Sequence, residues 1–387
     1  MKYKLKEIFD LQMGKTPSRN NQSYWNTKDN KWISIADLTK AEKYISKTKE
    51  YISERAVDDS GIKIIPANTV VMSFKLSIGK TAITTENMYS NEAIMSFHDK
   101  HVVDILPEYI YYLFKYKNWD ENSNKAVKGK TLNKATLSEV EIEIYPIEKQ
   151  RKIVFFLDEI MAIITNKKNE LFLLDELVKA RFVEMFGTPT KNEKQLPVLN
   201  VNDICIKVTD GSHFSPKAVE IGFPMFSVKD MNENGFSYDG CKYISEEDFK
   251  ILEKQGCIPE ENDVLIAKDG SYFAKGFVVK EKKNEGILSS IAMLRPNTKV
   301  VNPTFLKYYL LSKEVVDLVT LNYVTGSALK RVILQGIKKI PVILPDIKLQ
   351  DEFAEFVEQI DKSKFIIQKQ IDETQELSNK LMQDYFG

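Results

Sequence analysis

The sequence predicts an α/β (α+β) chain: two similar mixed α/β globules and two long helices packed as an antiparallel coiled coil, with an internal pseudo-twofold repeat. Three observations predict it. The stretch Gln150 to Gly187 matches the stretch Gln350 to Gly387 at a constant offset of 200 residues, with no gap. Both stretches carry apolar residues in 4-3-4-3 steps. The regions before them repeat one order of turns, strands and a proline-initiated helix. A long-period self-match of this kind sets the architecture before any local reading does.

The helices come first because they organise the rest. Gln150, Phe156, Ile160, Glu176, Leu177, Phe186 and Gly187 meet Gln350, Phe356, Ile360, Glu376, Leu377, Phe386 and Gly387. In the first helix the seam is Ile153, Leu157, Ile160, Ile164, Leu171, Leu174 and Val178, continued by Met185, with Lys167 and Arg181 as polar interruptions. In the second it is Phe353, Val357, Ile360, Ile367, Ile371 and Leu381, continued by Tyr385, with Lys364, Thr374 and Ser378 as polar members. Such a stripe is a coiled-coil seam. Neither stretch contains Pro or internal Gly, and each closes on Phe-Gly, where Gly suits a left-handed stop. At ~1.5 Å per residue each spans roughly 55 Å, too long to bury its stripe alone. Phe155, Phe172 and Phe182 lie off the seam and are expected on an outer face, where they form a partner surface or pack back on the globules.

The 387 residues suit two to three domains, drawn here as globules at 1–144 and 188–343 and helical stretches at 145–187 and 344–387. Formal net charge is zero, which argues against coating nucleic acid by bulk electrostatics. The globules are mildly basic, with 22 Lys+Arg against 19 Asp+Glu in 1–144 and 21 against 19 in 188–343; the second helical stretch is acidic, at 5 against 10. Three scattered cysteines, no signal-type N-terminus and no long apolar run point to a reducing cytoplasm.

Along the first globule, Leu5 to Phe9 reads as a short helix or strand leading into the turn Gly14-Lys15-Thr16-Pro17-Ser18. Trp32 to Leu38 is expected as a strand. Thr69 to Phe74 and Ile78 to Ile83 read as a hairpin, and Asn91 to Phe97 as another strand. Pro107 opens a helix to Tyr116, as Pro does at a first turn. Lys128-Gly129-Lys130-Thr131 and Ile142-Glu143-Ile144 follow, before Pro146 and the long helix.

The second globule repeats the order. Asp210-Gly211-Ser212-His213-Phe214-Ser215-Pro216 stands for the first turn, Phe226 to Met231 for Ile33 to Leu38, and Ile258 to Ile266 for Ile65 to Met72. Ser289 to Met293 is taken to match Ser90 to Ile94, Pro303 opens the helix, and Gly326 to Lys330 matches Gly129 to Asn133.

In this order, repeated before two long helices, the chain resembles the specificity subunits of type I DNA restriction-modification systems over essentially its full length. The resemblance rests on the two turns, the Asn91-Glu92-Ala93-Ile94 strand, the Pro-initiated Leu/Tyr-rich helix, the Gly129-Lys130-Thr131 or Gly326-Ser327 element, and Pro146 to Gln150 or Pro345 to Gln350. It implies that each globule reads one half of a split double-stranded DNA target and that the helices set the unread spacer. It implies two methyltransferase subunits docked on the helical core, carrying S-adenosylmethionine and adenine-N6 chemistry. Two motor-nuclease subunits, using ATP and Mg, can join them. The chain itself is then no catalyst and holds no cofactor or metal. Rival readings are a scaffold with two protein-binding heads, or a DNA-modifying enzyme in its own right.

The residues offer the enzyme reading little. Asn302-Pro303-Thr304-Phe305 resembles a methyltransferase loop but falls at a helix start, and no Gly-rich methyl-donor fingerprint accompanies it. Pro259-Glu260 with Glu281-Lys282-Lys283 fits a nuclease pattern only loosely, and the first globule lacks it. His98, His101 and His213 lack metal-type spacing. The DNA-contact expectation falls on Lys15, Thr16, Ser18 and Arg19; Lys75, Ser77 and Lys80; Ser212 and His213; and Lys268, Ser271, Tyr272 and Lys275. Small residues let backbone approach phosphate, and Lys, Arg, Ser and Thr reach phosphates or base edges. The other reading of these residues is turn chemistry on a solvated rim.

Overall fold

Each long helix runs unbroken for 40 residues, Ile147–Phe186 and Ile347–Phe386. A proline just ahead of each start, Pro146 and Pro345, costs no helical hydrogen bond there. Gly187 takes φ +82° at the first helix's end, a backbone geometry that favours glycine. The computed structural model describes residues 1–25, 27–75, 77–119, 124–126, 129–269, 275–325 and 331–387. No described helix is long and apolar enough to cross a membrane.

The chain forms two compact units, Met1–Lys168 with Lys369–Gly387, and Asn169–Gln368. Each unit holds one globule and half of each long helix. In the first unit a five-stranded sheet has the order Phe9–Met13, Ile94–Asp99, Val70–Ser73, Thr81–Thr84, Tyr44–Ile45. In the second a four-stranded sheet has the order Cys205–Asp210, Ile291–Pro296, Val264–Ala267, Gly276–Val278. The pairings match strand for strand and are antiparallel; only the extra edge strand Tyr44–Ile45 of the first unit is parallel. Each unit adds a three-stranded sheet, Glu50–Ile52, Asn30–Ile33, Tyr89–Ser90 and Lys242–Ile244, Phe223–Phe226, Gly286–Ile287. Each also pairs its first strand with its last, Lys2–Lys4 with Glu141–Glu143 and Val198–Asn200 with Pro341–Ile343.

Within each unit the two helix halves run antiparallel. In the first, Tyr145 lies beside Tyr385, and Ile153 and Leu157 share a core with Met382. In the second, Lys364 pairs with Asp175, and Phe353 packs on Phe182 and Phe186. Seam residues Ile153, Leu157, Ile160, Ile164, Val178, Phe353, Val357, Ile367 and Ile371 are buried, and Leu171, Leu174, Ile360 and Leu381 are half-buried. Both Phe-Gly ends anchor a globule: Phe186 packs edge-on to Phe305 at 4.9 Å between centroids, and Phe386 lies 5.5 Å from Tyr109.

The identical glutamines at the helix starts have a structural cause. Gln150 and Gln350 are fully buried. The Oε1 atoms accept from the backbone N–H of Leu106 and of Asn302, each at 2.9 Å. The Nε2 atoms donate to Asp104 O and Tyr145 O, and to Val300 O and Pro345 O. One amide thus joins the start of the Pro-initiated helix (Pro107–Tyr116 or Pro303–Leu311) to the start of the long helix.

Three expectations are corrected. Trp32 to Leu38 is not one strand: Asn30–Ile33 is a strand and Ile35–Lys40 a helix, because Ser34 and Asp37 form a reciprocal cap. Ser227 and Asp230 likewise start the 3-10 turn Val228–Asp230. Phe182, in turn, takes the second of its two expected places, packed back on a globule. It is 4% exposed and packs on Phe305 and Phe353, because this end of the helix must cover the globule as well as its partner helix. Ser289 to Met293 is displaced by two residues in register. Ile94 accepts from Gly14 N and Ile291 from Gly211 N, so Leu288, not Ser290, stands at the position of Asn91.

Candidate nucleic-acid interface

One end of each main sheet gathers the loops that the sequence marked. In the first unit Met13 pairs with Met95 and Ser73 with Ile94, so the segments after Met13 and Ser73 and before Ile94 leave the sheet together. Four backbone bonds lock them: Gly14 N to Ile94 O, Lys15 N to Ser90 O, Phe74 N to Ala93 O, and Leu132 N to Phe74 O, at 2.8–3.1 Å. The second unit repeats all four: Gly211 N to Ile291 O, Ser212 N to Ile287 O, Lys268 N to Ser290 O, and Val332 N to Lys268 O. Gly14 and Gly211 are required by close approach. A Cβ at either would collide with a backbone oxygen, of Asn91 or of Ile287.

On this shared frame the side chains diverge. In the first unit Lys15, Ser18, Arg19, Ser77 and Lys80 are exposed, and Thr16 and Lys75 are half-buried. Lys15 Nζ donates to Ser60 O. The Arg19 guanidinium stacks 3.8 Å from the Trp25 ring and 4.9 Å from that of Trp32, and holds Glu50 through Nη2 at 3.1 Å. Stacking and a two-point ion pair fix this cation's orientation. Thr16 donates its hydroxyl to Glu92. That bond, with the nearby charges of Lys75 and Arg19, holds the Glu92 carboxyl below its ordinary value. Lys75 lies 5.2 Å from its neighbour Phe74's ring.

In the second unit two expected contacts turn inward. Lys268 is 4% exposed, and its Nζ lies 3.0 Å from Asp210 Oδ2. Asp210 and Lys268 occupy the positions of the exposed Met13 and the buried Phe74, so charged residues stand where the first unit has apolar ones. Lys268 therefore presents no ammonium to a phosphate. Ser212 is also buried, its Oγ donating to Gln255 Oε1 and accepting from Phe214 N. Its hydroxyl is spent on the turn. His213 is exposed, 3.5 Å from Asp210 Oδ2. Lys275 is exposed and reaches Met231 O at 3.3 Å. Ser271 and Tyr272 lie outside the described residues, as do Lys128 and the stretch 326–330. The frame thus gathers Lys15, Thr16, Arg19, Lys75 and Lys80 in one unit and His213 and Lys275 in the other.

The remaining motifs have structural roles. Asn302 caps its helix, its Oδ1 accepting from Thr304 N at 2.8 Å. Glu260 pairs with Arg295, which also holds the fully buried Asp263. His98 Nε2 lies 2.9 Å from Ser96 Oγ, and burial pushes its pKa down. Two features escaped the sequence reading. One is a clamp in the first unit, where Lys43 Nζ donates to both Asp158 oxygens at 2.6 and 2.8 Å and Tyr112 donates to the same carboxylate. The other is Lys307, which stands in the second unit where the first has Tyr111. The alignment of the two proline-initiated helices carried that signal.

A model of the type I restriction modification DNA specificity domain matches residues 1–172 and again 196–377. The chain is 26% identical over 390 residues to the specificity subunit of the type I restriction enzyme MjaIX from Methanocaldococcus jannaschii, covering 95% of this chain and 88% of that protein. It is 28% identical over 161 residues to the EcoR124I/EcoR124II specificity subunit of Escherichia coli, covering 40% and 39%. Its fold matches a chain solved in work on complex assembly and conformational transition of the type I R-M system, with TM-score 0.62, 14% identity and coverage of 100% and 97%. The S subunit from M. genitalium gives TM-score 0.54 at 13% identity, covering 100% and 96%.

Proposed function

This chain belongs to the type I restriction modification DNA specificity family, and on that premise we propose how its two units divide the work. It is a non-catalytic specificity subunit whose two domains read a bipartite DNA target, and it assembles with other restriction-modification subunits. The proposal is that the loop frame around Gly14 reads one half-site and the frame around Gly211 the other. The observation that carries it is the repeated backbone frame with unlike side chains, a cationic set at Lys15, Arg19, Lys75 and Lys80 against a neutralised Asp210–Lys268 pair beside His213. Same geometry with different chemistry is what two unlike half-sites require.

The helices then set the unread spacer and dock two methyltransferase subunits, which bring S-adenosylmethionine and adenine-N6 chemistry; two motor-nuclease subunits bring ATP and Mg. The complex works in the cytoplasm. Docking is supported by large apolar side chains left outside on both helices, Phe155 at 60% and Phe172 at 59% exposed among them. Phe172→Glu is expected to abolish co-purification with the methyltransferase subunit at unchanged helix content; unchanged binding would exclude this face.

The test of the whole reading is a methylome. The chain is co-expressed with its methyltransferase subunit in a host without adenine methylation. The expected result is a split motif with a fixed gap, methylated on both strands. Unmethylated DNA from a soluble, assembled complex would overturn it.

A further inference from the structure

The two units differ at one sheet edge, and the difference leaves matched donors idle. In the first unit the edge strand Thr81–Thr84 receives a further parallel strand, Tyr44–Ile45. Ile83 N donates to Lys43 O at 2.9 Å and Thr85 N to Ile45 O at 3.2 Å. Tyr111 fixes the same segment by donating to Glu42 O at 3.0 Å, and Lys43 closes the clamp on Asp158.

Among the described residues the main sheet of the second unit ends at Gly276–Val278. Register places Val278 where Ile83 stands, since Val264 pairs with Val278 as Val70 pairs with Ile83. Strand alternation turns the Val278 N–H outward, and no described residue accepts from it. Counting from the helix prolines, Lys307 and Tyr308 occupy the positions of Tyr111 and Tyr112. Among the described residues neither Lys307 Nζ nor Tyr308 OH has a hydrogen-bond or ion-pair partner; Lys307 lies 4.7 Å from the Tyr308 ring and, beyond ion-pair distance, feels the charges of Asp361 and Glu233. Burial holds the Lys307 ammonium below its ordinary value. Both residues line a cavity of about 620 Å³ beside Gly276, with Glu233 and Asp361 on its wall. Neither acid has a cation within ion-pair distance among the described residues.

The chain's own equivalent segment is committed elsewhere. After the 3-10 turn Val228–Asp230 it folds back, with Met231 bridged to Phe236 and the Phe236 ring stacked on Phe226 at 4.1 Å. An edge with free N–H groups beside a cavity is a template for strand addition.

We propose that the Gly276–Val278 edge and its cavity take an extended segment of a protein partner as a fifth strand, parallel to Gly276–Val278 and carrying a Lys or Arg opposite Asp361 and Glu233. Val278 N–H and Lys307 Nζ donate to that segment's carbonyls, as Ile83 N–H and Tyr111 OH donate to those of Lys43 and Glu42. The inference rests on the reading of this chain as one subunit of an assembly.

The test compares amide exchange of the full chain alone with that of the complex purified from its own cells through a tag on this chain. A second preparation carries a photo-crosslinking residue in place of Val278. Exchange at Gly276–Val278 is expected to slow at least ~10-fold in the complex, while Thr81–Thr84 exchanges slowly in both states. The crosslink is expected on an extended partner segment containing Lys or Arg. Lys307→Met, which breaks no hydrogen bond or ion pair among the described residues, is expected to cut crosslink yield several-fold with the complex intact. Equal exchange in both states, or crosslinks only to residues 232–240 of the same chain, would overturn the proposal. Assembly and half-site preference are read in the same preparations. Their loss would count against the proposed function, and an unprotected edge in an intact complex only against this inference.

Discussion

Lys268 shows how one side chain's role is decided by its neighbour. As a lysine beside a glycine turn it reads as a DNA contact; in the fold it is buried against Asp210, where the first unit has Phe74 and Met13. Removing one partner of a buried pair strands the other charge, so Lys268→Ala is expected to destabilise the second unit by about 3 kcal/mol in denaturant unfolding. The double change Asp210→Met with Lys268→Phe, borrowing the first unit's solution, is expected to cost under ~1 kcal/mol. Equal losses would show the charges are not coupled. Glu92 makes a second test. Its folded pKa is depressed, first by the Thr16 hydroxyl. Its contribution to stability is therefore full above the ordinary carboxylate range and is lost as pH falls through the lower folded value. Thr16→Val is expected to move the Glu92 titration, followed by NMR, back up toward the ordinary value.

At the scale of elements, short polar signals decided boundaries that hydrophobic pattern could not. Ser34-x-x-Asp37 and Ser227-x-x-Asp230 are readable capping boxes, yet the apolar run Trp32 to Leu38 alone argues for a strand. The alternation of a strand and the stripe of a one-turn helix are indistinguishable over so few residues. The glutamine staples are the converse case. Their identity at a 200-residue offset is visible in the sequence, but the reason, a buried amide serving three backbone groups, is tertiary. Gln150→Leu leaves an N–H and two carbonyls without partners at the junction, an expected loss of roughly 3 kcal/mol. It should appear as faster amide exchange at Leu106, with Asn302 unchanged; equal effects at both would refute a local staple.

At the scale of the molecule, the helices are proposed to set the distance between half-sites. Four residues added to each helix lengthen it by ~6 Å, against ~3.4 Å per base pair, so the methylated motif is expected to gain one or two base pairs of gap with both half-sites unchanged. Altered half-sites at constant gap would separate the helices from spacing.

The sequence by itself determined the duplication, the helix seams, the proline-opened helices and the family. These depend on periodicity and residue order, which are local or repeated and need no third dimension. It also placed the loops that the sheet brings together, because Gly14 and Gly211 mark close backbone approach wherever they fold. Only the tertiary structure decided which loop residues face outward. Lys15, Arg19 and Lys80 do, and Lys268 and Ser212 do not, because burial of a polar group depends on partners such as Asp210 and Gln255, 58 and 43 positions away in the chain. It alone decided that Phe182 faces a globule, and that among the described residues the second unit's main sheet has one strand fewer than the first's.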